Sequence, residues 1–358
     1  MRIGIGDILL IVAAAAWIVL SLSMSLSSYL STYNATYIYC VGSSGHGNQN
    51  LTFYASLTNS GIGQWRNTTS YPVGVDDVGC DIYHGYIYCT GTNATQAENQ
   101  SYYAKLSPSG IGSWMPTTNY PFQTSYQSCS AYSGYIYCVG DWWYPKQNVT
   151  EFAPISDRGI GNWSQSTPYP TPFYWGTCSI NNGYIYCIGG GGKEHGLGAA
   201  DESVAANLTS NMTRTFFAPV SSKGIGNWTE TTPYPIPFFF DGCPIYDSNI
   251  YCIGDGPYGS ITYYAHVSSS GIGQWVRTTN TPIDFIQTGC ATHGGYVYCI
   301  GSRDPATAGH QTWYAPISVN GIGNWTATTP FPISFYGDSY CEIPGDGGGW
   351  TSGGGPQD

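Results

Sequence analysis

The pattern of apolar and polar positions changes character once along the chain. From Ile8 to about Leu26 runs an almost unbroken apolar stretch of about 19 residues, with Trp17 inside it, Arg2 ahead of it and Asp7 beside it. Such a length suits a helix that spans a bilayer. Ser21-Leu22-Ser23 and Ser25-Leu26-Ser27 are small-x-small sites of the kind found at signal-peptide cleavage points. The run is longer than a typical signal h-region, which favours a retained anchor. A cleaved signal peptide and a pilin-like leader helix are the competing readings. All three send the rest of the chain outward.

From Tyr37 onward the pattern is short alternating runs, rich in Tyr, Ile, Val and Thr and punctuated by Gly and Pro. This is strand patterning with turn signals, and no long helical period interrupts it. The runs repeat. Gly-Ile-Gly followed two residues later by Trp occurs six times, ending at Trp65, Trp114, Trp163, Trp228, Trp275 and Trp325. Eleven residues before each Trp stands Tyr54, Tyr103, Phe152, Phe217, Tyr264 or Tyr314. A period near 49 with four strand-like runs per unit predicts the blades of a β-propeller. We label the strands a to d within each blade.

The 12 cysteines follow the same period. Five pairs bracket a two-residue turn: Cys80/Cys89, Cys129/Cys138, Cys178/Cys187, Cys243/Cys252 and Cys290/Cys299. Turns such as Asn182-Gly183 and Gly294-Gly295 favour type I′ hairpins. Counting outward from the turn places each Cys pair at a non-hydrogen-bonded position, where strands approach closely enough for a cross-strand disulfide. Zinc binding is a poor alternative, since these pairs lack nearby His or a second Cys pair. Cys40 matches the second half of such a hairpin and Cys341 the first half. Their pairing predicts a split closing blade whose seam joins the two ends of the chain. Closing that loop of about 300 residues is worth about 5 kcal/mol in the chain-entropy model. Six disulfides imply an oxidising compartment.

These repeats resemble kelch repeats. The resemblance covers residues 37–343. It rests on aliphatic strands ending in Gly, as in Tyr184-Ile185-Tyr186-Cys187-Ile188-Gly189, followed by a Tyr or Phe and then a Trp at fixed spacing. The kelch double glycine survives only at Gly189-Gly190, and the cysteines are not a general kelch feature. The Tyr-Ala-Pro-Ile-Ser and Gly-Ile-Gly-x-Trp tracts are similar to those of uncharacterised prokaryotic, especially archaeal, surface proteins. The expected architecture is therefore all-β: a six-bladed kelch-like propeller with one disulfide in each blade. Its expected divisions are a signal-anchor helix (1–30), a linker (31–36), the propeller (37–343) and a Gly-rich flexible tail (344–358).

Composition narrows the function classes. Charged residues are only 9 % and the net charge is −11, with 10 Lys and Arg forming no cluster. A nucleic-acid partner needs a basic patch, so none is expected. The b–c and d–a loops share the face away from the a–b turns. Because the chain enters through strand b and leaves through strand a of the split blade, that loop face points away from a membrane anchor. It is the expected site for a glycan or protein ligand, as it is for partners of kelch propellers. The candidate contacts are Trp142, Trp143 and Tyr144 in the b–c loop of blade three, Trp175, Phe239 and Tyr336 in d–a loops, and His195 in the long b–c insertion of blade four. Packing between blades is the competing role for loop aromatics such as Tyr120, Phe173 and Phe238.

Eleven Asn-x-Ser/Thr sites occur: Asn34, Asn50, Asn67, Asn93, Asn99, Asn148, Asn162, Asn207, Asn211, Asn227 and Asn324. Three of them directly precede the repeat Trp, where glycans would shield the outer edge strand. Catalytic signals are weak. His46, His195 and His310 share the b–c loop side, but loop histidines are ordinarily solvated, so no metal or cofactor is assigned. Asp76, Asp77, Asp241 and Asp338 at d–a loop ends can ring the channel, as a cation site or as acid and base for glycan cleavage. No pair stands out, and an enzyme is the secondary expectation.

Overall fold

The computed structural model describes residues 36–42, 50–58, 60–75, 78–91, 99–124, 126–141, 146–173, 175–191, 212–238, 242–254, 260–283, 285, 289–301, 309–333 and 340–344. The chain divides into two units, 1–36 and 37–358. The expected leader helix, the linker except Thr36 and most of the Gly-rich tail lie outside the described residues. Among the described residues, no helix is long and apolar enough to cross a membrane.

The second unit is an all-β propeller of six antiparallel sheets. Blade one takes strand a from the chain's end, Tyr340–Glu342, and strands b and c from its beginning, Tyr37–Val41 and Thr52–Thr58. In blade two, strands a to c are Gly79–Tyr83, Tyr86–Thr90 and Ser101–Ser107; in blade three, Ser128–Tyr132, Tyr135–Val139 and Thr150–Ser156. Blade four uses Thr177–Asn181, Tyr184–Ile188 and Thr215–Ser221. Blades five and six use Ile245–Tyr246, Asn249–Cys252 and Tyr263–Ser268, then Gly289–His293, Tyr296–Ile300 and Thr312–Ser318. The a strands of neighbouring blades meet around the axis.

All five a–b hairpins turn on two residues of positive φ, for example His84 and Gly85 at 47° and 77°. This is the backbone that type I′ turns require. It fixes the register that sets Cys80 opposite Cys89, Cys129 opposite Cys138, Cys178 opposite Cys187 and Cys290 opposite Cys299. Each of these pairs is bonded, and so is Cys243 to Cys252 in blade five. The seam is closed as well: Cys40 lies opposite Cys341 and bonds it across 301 residues of sequence. The Cα atoms of the six bridges are 4.1–4.2 Å apart. Strand a of blade five is cut to two residues because Pro244 follows Cys243 and cannot donate to the ladder.

Strand d differs from the expected strand that carries the repeat Trp. It is broken into two-residue pieces, such as Gly61–Ile62 and Arg66–Asn67, and Trp65 lies in the link between them. The cause is contact between blades. Gly61 has φ 106°, and a Cβ there would overlap the Thr328 side chain of blade six. That approach lets the Ile62 N–H donate to Thr328 Oγ1 at 2.8 Å, a tie repeated at all six interfaces. The break also turns the Trp backward. Trp65, Trp114, Trp163, Trp228 and Trp275 donate Nε1–H to a carbonyl of the preceding blade at 3.0–3.3 Å. In the other direction, Tyr39 on strand b donates to the Ser107 carbonyl of the following blade at 2.8 Å, and four further tyrosines repeat this. Each blade is thus tied both ways around the ring.

Candidate functional site

The two faces of the ring differ in regularity. The a–b turns are two residues long in every intact hairpin, and so are the c–d turns in every blade. The b–c connections are longer, 10 or 11 residues in five blades, and the one in blade four, 189–214, runs to 26. A regular scaffold with its longer loops on one side is where binding residues are carried in repeat folds.

The cysteines hold the scaffold and belong to no binding site. Cys187 shows why. It is fully buried on strand b of blade four, bonded to Cys178 on one side and set opposite Phe216 of strand c on the other. The remaining eleven are buried and bonded in the same way, and no thiol is left free to act as nucleophile or ligand.

Several loop aromatics prove to be core. Tyr120, Phe173 and Phe238 are at most 1 % exposed. Tyr120 packs edge-on against Trp163 of the next blade at 4.8 Å, and Tyr169 and Tyr234 do the same to Trp228 and Trp275. These rings close the interfaces between blades and present no surface to a ligand. Trp175 is half-buried, has φ 61° and packs edge-on against Tyr126 at 5.8 Å. Trp142, Trp143, Tyr144, His195, Phe239 and Tyr336 lie outside the described residues. So do Asp76, Asp77, Asp241, Asp338 and His46. His310 sets its Nδ1 3.1 Å from the Phe331 carbonyl, so it serves local structure. Among the described residues, no group of three or more His, Cys, Asp or Glu is placed to hold a metal.

Two carboxyl clusters emerge from strands. One sits on the axis at the seam. Asp81 and Glu342 are at most 1 % exposed and occupy the position just after the first cysteine of the hairpin. Blades three and four place Ser130 and Ser179 there. Asp81 accepts the N–H of Ile82 at 2.5 Å and that of Ala131, in blade three, at 2.6 Å. The Tyr340 hydroxyl donates to Glu342 and lies 3.5 Å from Asp81 Oδ1. Burial pushes the Asp81 carboxyl up to about 7, against the opposing pull of these hydrogen bonds. Burial and the two carboxyls push the Tyr340 phenol well above its ordinary value. With both oxygens of Asp81 engaged by backbone, this cluster laces three blades together and offers no open position to a substrate.

The other cluster lies between blades two and three, at the root of the loop that carries residues 142–144. There Tyr120, Asp141 and Glu151 are buried, and burial and the two carboxyls push the Tyr120 phenol well above its ordinary value, while Lys146 at the far end of the loop sets its Nζ 4.0 Å from the Phe122 ring. Aligning the repeats column by column reveals this departure, because Glu151 occupies an aromatic position.

The sequons divide by environment. Asn50, Asn67, Asn148, Asn162, Asn227 and Asn324 lie at the surface, exposed or half-exposed. Asn99 is half-buried and its amide donates to the Tyr120 carbonyl at 3.0 Å, so it serves the blade interface. Asn34, Asn93, Asn207 and Asn211 lie outside the described residues.

No family model matches the chain, and no curated protein is significantly similar to it. Six disulfides place the propeller in an oxidising, extracytoplasmic environment.

Proposed function

We propose that this chain is a kelch-like propeller held at the cell surface, acting as a binding or assembly module for glycan or protein ligands. The observation that carries this reading is the asymmetry between a face of two-residue turns and a face of longer b–c loops, one of them extended to 26 residues in blade four. Aromatic side chains on the latter, Trp142 and Trp143 above all, have no counterparts in other blades and suit stacking on sugar rings or protein surfaces. The apolar segment 8–26 serves as the membrane anchor. Strand b of blade one begins, and its strand a ends, on the side of the a–b turns. This supports an orientation with the loop face outward. Surface sequons at Asn162, Asn227 and Asn324, each just before the repeat Trp, support N-glycans along the outer rim.

The second reading is a glycan-acting hydrolase or lyase at the channel mouth, using Asp76 or Asp241. A glycan array with the Trp142→Ala, Trp143→Ala and Trp175→Ala variants separates the two. Binding that is lost with these changes, with no turnover of the bound glycan, supports the module. Turnover that vanishes in Asp76→Ala or Asp241→Ala supports the enzyme. Binding unaffected by all three Trp changes refutes the loop-face assignment.

A further inference from the structure

The face of the a–b turns carries a circle of tyrosines. Strand b begins there, and its first residue is Tyr37, Tyr86, Tyr135, Tyr184 or Tyr296; blade five has Asn249 instead and sets Tyr246 on the other side of its turn. All six tyrosines are half-buried. In the first five, the ring centroid lies 5.8–6.3 Å from that of an aromatic on strand c, as Tyr37 does from Tyr54. The apolar bodies are thus packed while the phenol ends stay at the turns. Tyr246 shows this directly: its hydroxyl is 3.9 Å from where a Cβ would stand at Gly295, in the turn of the next blade. Two positions along strand b, Tyr39, Tyr88, Tyr137, Tyr186 and Tyr251 donate their hydroxyls to carbonyls of the following blade. The six at the turns have no such partner among the described residues.

The c–d turns share this face, because strand c ends opposite the start of strand b. The two sets of turns are fastened together. The second residue of each a–b turn accepts an N–H of strand c, Gly85 from Leu106 and Gly134 from Ile155, both at 2.8 Å. The charges here differ from those of the chain. The turns hold two acids, Asp157 and Asp247, and two bases, Arg158 and Lys223, against 21 acids and 10 bases in the whole sequence. None of the eleven sequons falls in these turns, although Asn182 and Asn320 stand in them. The most exposed large apolar side chain among the described residues, Val319 at 63 %, is in the c–d turn of blade six, beside blade one.

A phenol with its ring packed and its hydroxyl free suits the boundary between hydrocarbon and water, where tyrosine is enriched. A face of short turns, balanced charge and no sequon fits a lipid headgroup layer better than a shaped protein partner. The chain supplies the approach. Strand b of blade one begins on this face at Tyr37, and only residues 27–36 separate it from the apolar segment 8–26, a reach of at most about 35 Å.

We propose that the turn face is a docking surface for the headgroup layer of the membrane, with the tyrosine circle and Val319 as its contacts. This rests on the reading of segment 8–26 as a membrane anchor. Docking goes further than tethering, because it holds the propeller in one orientation. Its contacts act through phenol ends and apolar area rather than through net charge.

Hydroxyl-radical footprinting of the full-length protein reads tyrosines one by one. In nanodiscs of phosphatidylcholine and phosphatidylglycerol, Tyr86, Tyr135 and Tyr184 are expected to oxidise about threefold more slowly than in detergent micelles, relative to Met115 on the outer edge. Lengthening the linker by about 20 Gly and Ser residues is expected to keep that protection, whereas a propeller that is merely tethered loses it. Ser133→Asp, Asn182→Asp and Val319→Asp combined are expected to abolish it. All three sites are exposed, and Asp accepts the left-handed backbone of the first two. The melting temperature checks that this variant folds, and the linker variant tests docking without touching the propeller. Failure of the protein to enter the nanodiscs overturns the anchor reading and the proposal with it. Entry without protection, protection lost with the longer linker, or protection kept in the triple variant overturns the docking alone.

Discussion

The two interfaces that flank blade six are built on the same plan and diverge at Thr281. Between blades six and one, the Phe331 ring meets Trp65 at 4.8 Å and Phe53 at 5.1 Å, and Trp65 Nε1 donates to the Thr329 carbonyl at 3.1 Å. Between blades five and six, Thr281 stands where the other blades put Tyr or Phe. Its hydroxyl turns back to the Ile283 carbonyl at 2.7 Å. Trp325 is left with Phe285 at 5.8 Å, and its Nε1–H is buried without an acceptor. The other ties survive: Ile322 N–H donates to Thr278 Oγ1 at 2.7 Å, and the Tyr251 hydroxyl to the Ser318 carbonyl at 2.9 Å. The difference follows the path of the chain. Blade five continues directly into blade six, so a thinner interface is tolerated. Strands b to d of blade one reach blade six with no peptide link, and there both the edge-on ring and the tryptophan hydrogen bond are present.

Opening the seam is the most severe way to test this contrast. Replacing Cys40 and Cys341 by Ser is expected to cost about 5 kcal/mol in denaturant unfolding, against about half that for Cys290 and Cys299 in blade six, whose loop is short. Equal losses would mean that the seam is energetically no different from a hairpin bridge.

Next in size are the tryptophans. Trp65→Ala is expected to cost about 3 kcal/mol, and Trp325→Ala at least about 1 kcal/mol less, because Trp325 has neither the edge-on ring nor the hydrogen bond to lose. A larger loss at Trp325 would reverse the ranking of the two interfaces.

The seam also answers to pH. Folded Asp81 holds its proton up to about 7, whereas unfolded Asp releases it near 3.8. The folded state therefore binds more protons between those values. The contribution is complete below the lower value and is lost as pH rises through the upper one. Unfolding free energy is expected to fall by an amount on the order of 2 kcal/mol between pH 5 and 8. Asp81→Ser, which copies blades three and four, is expected to flatten that slope, and an unchanged slope would remove Asp81 as its source. The gentlest change is Thr281→Tyr. Supplying the missing ring is expected to stabilise the protein by about 0.5–1.5 kcal/mol, read as a rise in melting temperature. No gain would show that the pocket beside Trp325 cannot admit the ring.

What the sequence reveals divides by range. Type I′ turns and period-two alternation are local, so the six bridges, the split blade and the six-bladed ring can all be read from spacing alone. Cys178 and Cys187 are the plainest instance, nine residues apart around Asn182-Gly183. The broken strand d cannot be read so, because it depends on how closely Gly61 approaches Thr328 in another blade. Nor does composition tell an outward ring from a plug: Phe173 and Phe238 sit among prolines and glycines like surface residues, yet are fully buried. Carboxylates sought at loop ends miss Asp81 and Glu151, which lie inside strands. Both stand out once the repeats are aligned, as acids in columns of small or aromatic residues.

The disulfide between Cys40 and Cys341 also sets an order in time. Of these 12 cysteines, Cys40 is made before all the others and Cys341 after them. The other ten are nine residues from their partners and can pair as soon as each hairpin emerges. Cys40 must wait as a free thiol through the making of five blades. Throughout that interval every newly exposed cysteine is a wrong partner within reach, and a thiol–disulfide isomerase is the activity that would shorten it.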